Sequence, residues 1–199
     1  SHGRILVAGP QYNVSVMVRR FTLDGQVDRT FGRNGRVRIQ SKGIMAAHVL
    51  SSVLVERSGR ILAGGTIRAR PVIVALRPNG RLDRRFGRRG FAWGIKVPPI
   101  KCDAYVELCS IGDLVRTSNG RLVLGSMVTF NNWRYLYDIL SAFRKDGTPI
   151  RGFGRRGKLI LTSSKVARGT GRPSAGALAI NDVVALSRGR GFVLGGTSI

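Results

Sequence analysis

The fold is decided by a short glycine-bounded stretch, GRILAGG at residues 59–65. It occurs as GRILVAG at residues 3–9, as GRLVLG at residues 120–125 and, more loosely, as GFVLGG at residues 191–196. Each copy is a short apolar run bounded by Gly, which is typical of a buried β-strand that follows a tight turn. Four copies in one chain predict a repeat protein.

A second motif lies between the copies of the first. It reads DGQVDRTFGRNG at residues 24–35, NGRLDRRFGRRG at residues 79–90 and DGTPIRGFGRRG at residues 146–157. Asn, Asp and Gly tolerate positive φ, so the first two residues of each copy predict a turn. We expect the repeated Phe to fill the turn between two strands or to pack between sheets. The recurring residues of this motif are Gly25, Gly80, Gly147, Phe31, Phe86 and Phe153.

The two motifs together predict four strands in each period. In the second period we expect strands at residues 49–56, 60–64, 72–77 and 91–95. Apolar residues at helical spacing with caps are nearly absent, which predicts an all-β chain. Four antiparallel strands in about 60 residues are typical of a β-propeller blade. The competing architecture is a solenoid, whose repeats are usually shorter, about 20–45 residues.

The alternation of residues 59–65 with residues 76–90 resembles the delta-60 repeat family of bacterial β-propeller-like proteins. The resemblance spans nearly the whole chain. It implies a β-propeller in a secreted or surface-attached bacterial protein, and therefore an extracellular or cell-surface location. It implies no particular activity. The third copy departs from the pattern, because Ile150 stands where the other copies have Asp28 and Asp83.

We therefore predict an all-β fold: one β-propeller segment over residues 1–199, with about three four-stranded antiparallel blades plus partial strands. The expected bounds are a partial blade at 3–40, whole blades at 46–97 and 107–162, and a partial blade at 179–197. Closed propellers have about 4–8 blades. We therefore expect a piece truncated from a larger protein, with the remaining blades of that protein as partners.

The charge suggests a binding function. Lys and Arg number 34 against 10 acidic residues, a net charge of +24. Because antiparallel strands alternate in direction, we expect the long turns after the third strand of each blade to open on the same face. Ten basic residues would lie on that face: Arg151, Lys158 and the eight arginines named at the end of this paragraph. Such a face attracts acidic glycan, nucleic acid or anionic lipid. The alternative explanation of the charge is that a GC-rich genome encodes arginine at many solvent-exposed positions. The eight are Arg33, Arg36, Arg84, Arg85, Arg88, Arg89, Arg155 and Arg156.

An aromatic stretch at residues 126–137 is predicted to be a variable loop on the opposite face. Its Phe130, Asn132, Trp133 and Tyr135 suit a sugar or a peptide, since binding residues concentrate on loops of rigid scaffolds. The alternative is a long hairpin that buries its own aromatic residues.

The remaining candidates are few. Cys102 and Cys109 form a local disulfide if the protein is exported, or are two buried thiols. We expect no metal and no cofactor, because Asp28 and Asp83 are typical turn residues and no calcium loop is present. Nucleophile, phosphate-binding and zinc-protease motifs are absent, and so is an apolar run of the ~18 residues that a membrane helix needs. We therefore expect a non-enzymatic scaffold or interaction module, with polyanion binding or a hydrolase propeller as alternatives.

Overall fold

The protein is all-β. The computed structural model describes residues 3–11, 15–40, 48–67, 70–95, 109–110, 113–130, 135–165, 178–185 and 192–198. In these ranges all repetitive structure is β-strand, joined by turns and isolated bridges. No helix in the described part of the chain is therefore long and apolar enough to cross a membrane. The predicted fold class is confirmed at the level of secondary structure.

The first two sheets are antiparallel meanders in which neighbours in sequence are neighbours in space. Sheet 1 contains β1 (Arg4–Gln11), β2 (Ser15–Thr22) and β3 (Arg36–Gln40). Sheet 2 contains β4 (His48–Val55), β5 (Ile61–Ile67), β6 (Arg70–Leu76) and β7 (Phe91–Trp93). The four strands of sheet 2 agree with the sequence prediction to within three residues at each end.

The other two sheets are also antiparallel. Sheet 3 contains β8 (Cys109–Ser110), β9 (Leu114–Arg116), β10 (Leu122–Phe130), β11 (Tyr135–Phe143) and β12 (Lys158–Lys165). Both β8 and β9 pair with the same edge of β10, so together they occupy one strand position. Sheet 4 contains β13 (Leu178–Ala185) and β14 (Phe192–Ser198).

Successive sheets stack face to face, which is why the two central strands of sheet 2, β5 and β6, are buried almost throughout. All seven residues of β5 are buried. Ile61 and Ala63 pack in a core shared with sheet 1, whereas Leu62 packs in a core shared with sheet 3. A strand covered on both faces reads as a continuous apolar run, since neither set of alternating side chains meets water. Stacked four-stranded meanders of this kind form a β-propeller fragment, as the sequence predicts.

A repeated junction joins sheet 1 to sheet 2. Phe31, which precedes β3, is fully buried. The Gly32 amide donates a hydrogen bond of 2.9 Å to the Asn79 carbonyl of sheet 2. A Cβ placed at Gly80 would lie only 3.0 Å from the Phe31 ring and 2.8 Å from the Gly32 nitrogen. Glycine is therefore required at position 80, both for its positive φ of 84° and for this close approach.

The same junction joins sheet 2 to sheet 3. Phe86 is fully buried, and the Gly87 amide donates a 2.7 Å hydrogen bond to the Asp146 carbonyl. A Cβ at Gly147 would lie 2.8 Å from the Phe86 ring. Each Phe-Gly pair thus docks on the Asx-Gly turn of the following sheet, and the register of one sheet sets the position of the next.

Each long turn contains a two-residue hairpin whose central residues both have positive φ. In the first copy these residues are Asn34, with φ 52°, and Gly35, with φ 80°. This is the signature of a type I′ turn, which strongly prefers Asn-Gly. Arg89 and Arg156 occupy the position of Asn34 in the other copies, with φ of 54° and 56°. A left-handed conformation costs an ordinary L-residue about 1–2 kcal/mol, so two of the three turns are strained.

Replacing the strained arginines with the residue found in the first copy is expected to stabilise the protein. Arg89→Asn and Arg156→Asn should each raise the free energy of unfolding by roughly 0.5–1 kcal/mol, because Asn tolerates the left-handed region better. Thermal unfolding of each single variant measures this. The matched control is Asn34→Arg, which should lower stability by a similar amount. A fall in stability for both Asn variants would contradict the assignment of strain.

Candidate functional site

The carboxylate of Asp28 holds together the long turn of sheet 1. Its Oδ2 accepts hydrogen bonds from Arg4 Nε at 2.8 Å and from Arg20 Nε at 3.0 Å. Its Oδ1 accepts from the hydroxyl and the amide of Thr30. The bond from the Thr30 hydroxyl, followed by that from Arg4, holds the pKa of Asp28 well below its usual range. Asp28 is buried, so we assign it a structural role.

A guanidinium covers the junction between sheets 1 and 2. The guanidinium carbon of Arg20 lies 4.7 Å from the centroid of the Phe31 ring, a cation–π arrangement. The same side chain donates to the carbonyl of Pro78, in the turn that docks on Phe31. Arg20 therefore links Asp28, its ion-pair partner in sheet 1, to the following sheet.

Arg60 makes the equivalent contacts between sheets 2 and 3. It directly precedes β5, whereas Arg20 lies in β2. Its guanidinium lies 5.3 Å from the Phe86 ring centroid and donates to the Lys145 carbonyl at 3.2 Å. Its Nε lies 2.7 Å from Glu56, and its Nη1 lies 3.7 Å from Asp83. The turn that precedes β5 and the long turns of sheets 2 and 3 therefore meet at one end of the stacked sheets.

Sheet 3 replaces this polar arrangement with an apolar one. Ile150 packs with Val123, Leu140 and Leu159 in a third core. Its amide still donates to the Ala142 carbonyl at 2.9 Å, as the amides of the corresponding aspartates do in sheets 1 and 2. Only the side-chain chemistry changes, which accounts for the departure in the third copy.

Eight exposed arginines lie in the long turns of sheets 1, 2 and 3 or, for Arg36, at the start of the strand that follows, and we call this set the basic rim. Because the turns join equivalent strand ends, the set lies at one end of the stack. Arg151 is also exposed. Lys158 is not, with 8% relative exposure, and burial lowers its pKa with a further contribution from Arg156. Lys158 is the counterpart of Arg36, since each begins the strand after its turn, but its burial means that it adds little exposed charge to the predicted basic face. The basic rim is Arg33, Arg36, Arg84, Arg85, Arg88, Arg89, Arg155 and Arg156.

Two open cavities lie beside the type I′ turns at equivalent positions of the repeat. The first, of about 420 Å³, is lined by Met17, Arg33, Asn34, Arg36 and Arg38. The second, of about 350 Å³, is lined by Arg155, Arg156, Lys158, Leu159 and Ile160. Sequence reasoning missed Arg38 because it lies inside β3, after the turn; strand alternation places it on the same side as Arg36.

The described carboxylates that form ion pairs use arginines outside the basic rim. Those arginines are Arg4, Arg20, Arg60 and Arg116. A further carboxylate, Asp113, accepts a 2.6 Å hydrogen bond from the Ser52 hydroxyl. No group of three or more potential metal ligands occurs in the ranges that the structure describes. These described carboxylates thus stabilise the scaffold without neutralising the arginines of the basic rim.

The sequence left a loop and a long hairpin open for the aromatic stretch, and the described residues agree with a hairpin. β10 continues to Phe130 and β11 begins at Tyr135, and these two residues are paired. Aromatic and β-branched residues favour strands, which explains the extension. Asn132 and Trp133 lie outside the described residues.

The predicted disulfide is only partly covered. Cys109 lies in β8, and its backbone pairs with Val128 of β10. Cys102 lies outside the described residues, and the pairing of the two cysteines stays a prediction.

Comparison with known proteins agrees with the fold. Residues 2–31 match a protein family described as a domain of unknown function (DUF5122) beta-propeller. The matched segment covers β1, β2 and the long turn as far as Phe31. No curated protein and no solved structure matches the chain.

Asp28→Asn is expected to lower the melting temperature at pH 7, since the amide cannot pair with two guanidinium groups. The folded-state pKa of Asp28 is depressed. Its stabilisation is therefore complete above the unfolded-state pKa near ~4 and is lost as the pH falls further. Melting curves between pH 7 and pH 2 should show the two proteins converging below about pH 4.

The matched control for this prediction is Asp83→Asn in sheet 2. Its ion pair with Arg60 is longer, at 3.7 Å, so its effect on melting should be smaller. A difference between wild type and Asp28→Asn that stays constant down to pH 2 would contradict the role given to Asp28.

Proposed function

We propose that this chain is a non-enzymatic β-propeller scaffold of an exported bacterial protein, and that its basic rim binds acidic polymers. Acidic glycan is the favoured ligand at a cell surface, and nucleic acid shares the same chemistry. The observation that carries the proposal is the recurrence of exposed arginines, with an adjoining cavity in two of the three repeats, at one end of the stack.

The arrangement suits a ligand with regularly spaced anionic groups. Each repeat contributes an equivalent turn, so the positive charges occur at intervals that a polymer can bridge. Arginine forms bidentate hydrogen bonds with sulfate, phosphate and carboxylate groups. Binding of this kind releases counterions and weakens as salt concentration rises. Several weak contacts on one polymer add through effective concentration.

The use of the carboxylates supports a non-enzymatic role. Asp28 accepts hydrogen bonds from two arginines, and Glu56 from Arg60 and Arg116. A general acid or base must reach its substrate. Carboxylates held in these contacts are better suited to bracing the turns that carry the rim.

The exported location rests on the sequence. The repeats resemble the delta-60 family, which implies secreted or surface-attached proteins. A local Cys102–Cys109 bridge would agree with an oxidising compartment.

Reversing four rim charges tests the proposed binding. In a variant with Arg88, Arg89, Arg155 and Arg156 all changed to Glu, salt-dependent retention on heparin should be abolished. On double-stranded DNA, the magnitude of the slope of log K against log salt should fall by about 3.6 if all four residues contact phosphates, since each contact contributes about 0.9. The measurements are the sodium chloride concentration at elution and a fluorescence titration at several salt concentrations.

Two matched variants separate position from net charge. Changing the same four arginines to Lys keeps the charge and should keep most of the retention. Changing Arg68, Lys96, Lys101 and Arg134 to Glu makes the same change in net charge at residues that precede β6, follow β7 or precede β11. This variant should elute later than the rim variant. Equal loss in the rim and off-rim variants would overturn the proposed role of the rim.

A further inference from the structure

The side of sheet 1 that faces away from sheet 2 exposes large apolar side chains. Ile5 is 42% exposed, Val7 51%, Leu23 70% and Val27 47%. Leu6 and Ala8, which alternate with the first two along β1, instead pack against the core shared with sheet 2. Four such side chains on one three-stranded sheet form a patch of the kind that marks an interface.

The repeat itself shows what covers these positions. In sheet 2, the counterparts of Ile5, Val7 and Val27 are Ile61, Ala63 and Leu82. All three pack in the core between sheets 1 and 2. With a preceding sheet present, two of these positions are buried and the third is half-buried, and the side chains at the same positions remain apolar in sheet 1.

The docking turn shows the same difference. A Cβ at Gly80 would lie 3.0 Å from the preceding sheet's Phe, and one at Gly147 would lie 2.8 Å from it. At Gly25 the same construction meets no atom within 4 Å. Among the described strands, moreover, β1 pairs only with β2, whereas its counterpart β5 pairs with strands on both sides.

We propose that this surface, which we call the open face (Ile5, Val7, Leu23, Val27 and Gly25), docks a further blade of the same repeat that precedes sheet 1 in the same polypeptide. The incoming blade packs a Phe ring on Gly25 and donates the following Gly amide to the Asp24 carbonyl. A strand that leads from this blade into β1 pairs with the edge of β1 that lies opposite β2.

A second copy of the chain is the less suitable occupant. The junctions at Phe31 and Phe86 both join consecutive repeats of one polypeptide. The remaining Phe-Gly pair lies in sheet 3, which is already contacted by β13 through β9, β10 and β11. β14 and β1 carry the same motif and hold the same strand position in the repeat. A second copy docking there through β1 would therefore have to displace β14.

An extended chain tests the proposal. Residues 48–119 are duplicated ahead of Gly3, so that the added Asn119 joins Gly3 and restores the Asn-Gly turn found before β10. The duplicate supplies both a complete blade and the missing first strand of sheet 1. Hydrogen exchange should then show stronger protection of the β1 amides than in the original chain.

Two substitutions on the open face distinguish docking from simple tethering. Val7→Asp should change the melting temperature of the original chain by no more than ~1 °C and lower that of the extended chain by about 5 °C or more. Gly25→Asn should be nearly neutral in the original chain, because Asn tolerates positive φ, and destabilising in the extended chain, because its Cβ meets the incoming Phe. Gly80→Asn is the positive control and should destabilise both chains.

Two results would overturn the proposal. In the first, Val7→Asp and Gly25→Asn each change the melting temperature equally in the original and extended chains. This includes the case in which the duplicate fails to fold and the β1 amides gain no protection from hydrogen exchange. The other is a dimer of the original chain in sedimentation velocity that Val7→Asp abolishes, since a second copy would then be the occupant.

Discussion

The packing of a phenylalanine ring against a glycine turn is the constraint on which the rest of this structure depends. Phe31 and Phe86 are fully buried, and each lies against the Asx-Gly turn of the following sheet. The space between ring and turn leaves no room for a Cβ at Gly80 or Gly147. An amide hydrogen bond from the residue after each Phe then fixes the distance between successive sheets. Sheets joined in this way can stack only in order.

This junction also links stability to the display of charge. The residues of each long turn that point inward hold two sheets together, and the neighbouring arginines point to solvent. In sheets 1 and 2 the inner side of the turn is polar, with a guanidinium between a Phe ring and carbonyl and carboxylate oxygens. Ile150 shows that an apolar side chain can fill the corresponding space in sheet 3. The long turn that carries the rim arginines therefore has the same backbone geometry whether its inner side chains are polar or apolar.

Much of the architecture could be predicted because strand, turn and glycine signals are local. The bounds of β4 to β7 follow from apolar runs and turn residues, and the Gly-to-Phe spacing identifies the repeat. The positions of Arg20 and Arg60 could not be predicted in the same way. They lie at different strand positions, yet both guanidiniums reach equivalent places over a Phe ring. For the aromatic stretch the sequence left a loop and a long hairpin open, because composition near a strand end does not reveal how far the strand continues.

Two groups of described arginines have different surroundings, and this bears on whether the charge is only compositional. Arg4, Arg20, Arg60 and Arg116 pair with carboxylates, and Arg20 and Arg60 also contact the following sheet. Arg89 and Arg156 instead stand at a left-handed position where Asn34 shows that a less strained residue fits the same turn. A genome that merely favours arginine codons would place arginine on surfaces where it costs little. Arginine at a strained position in two of three turns, beside other exposed arginines, agrees with a benefit from the charge itself, and the acidic-polymer binding that we propose would supply one.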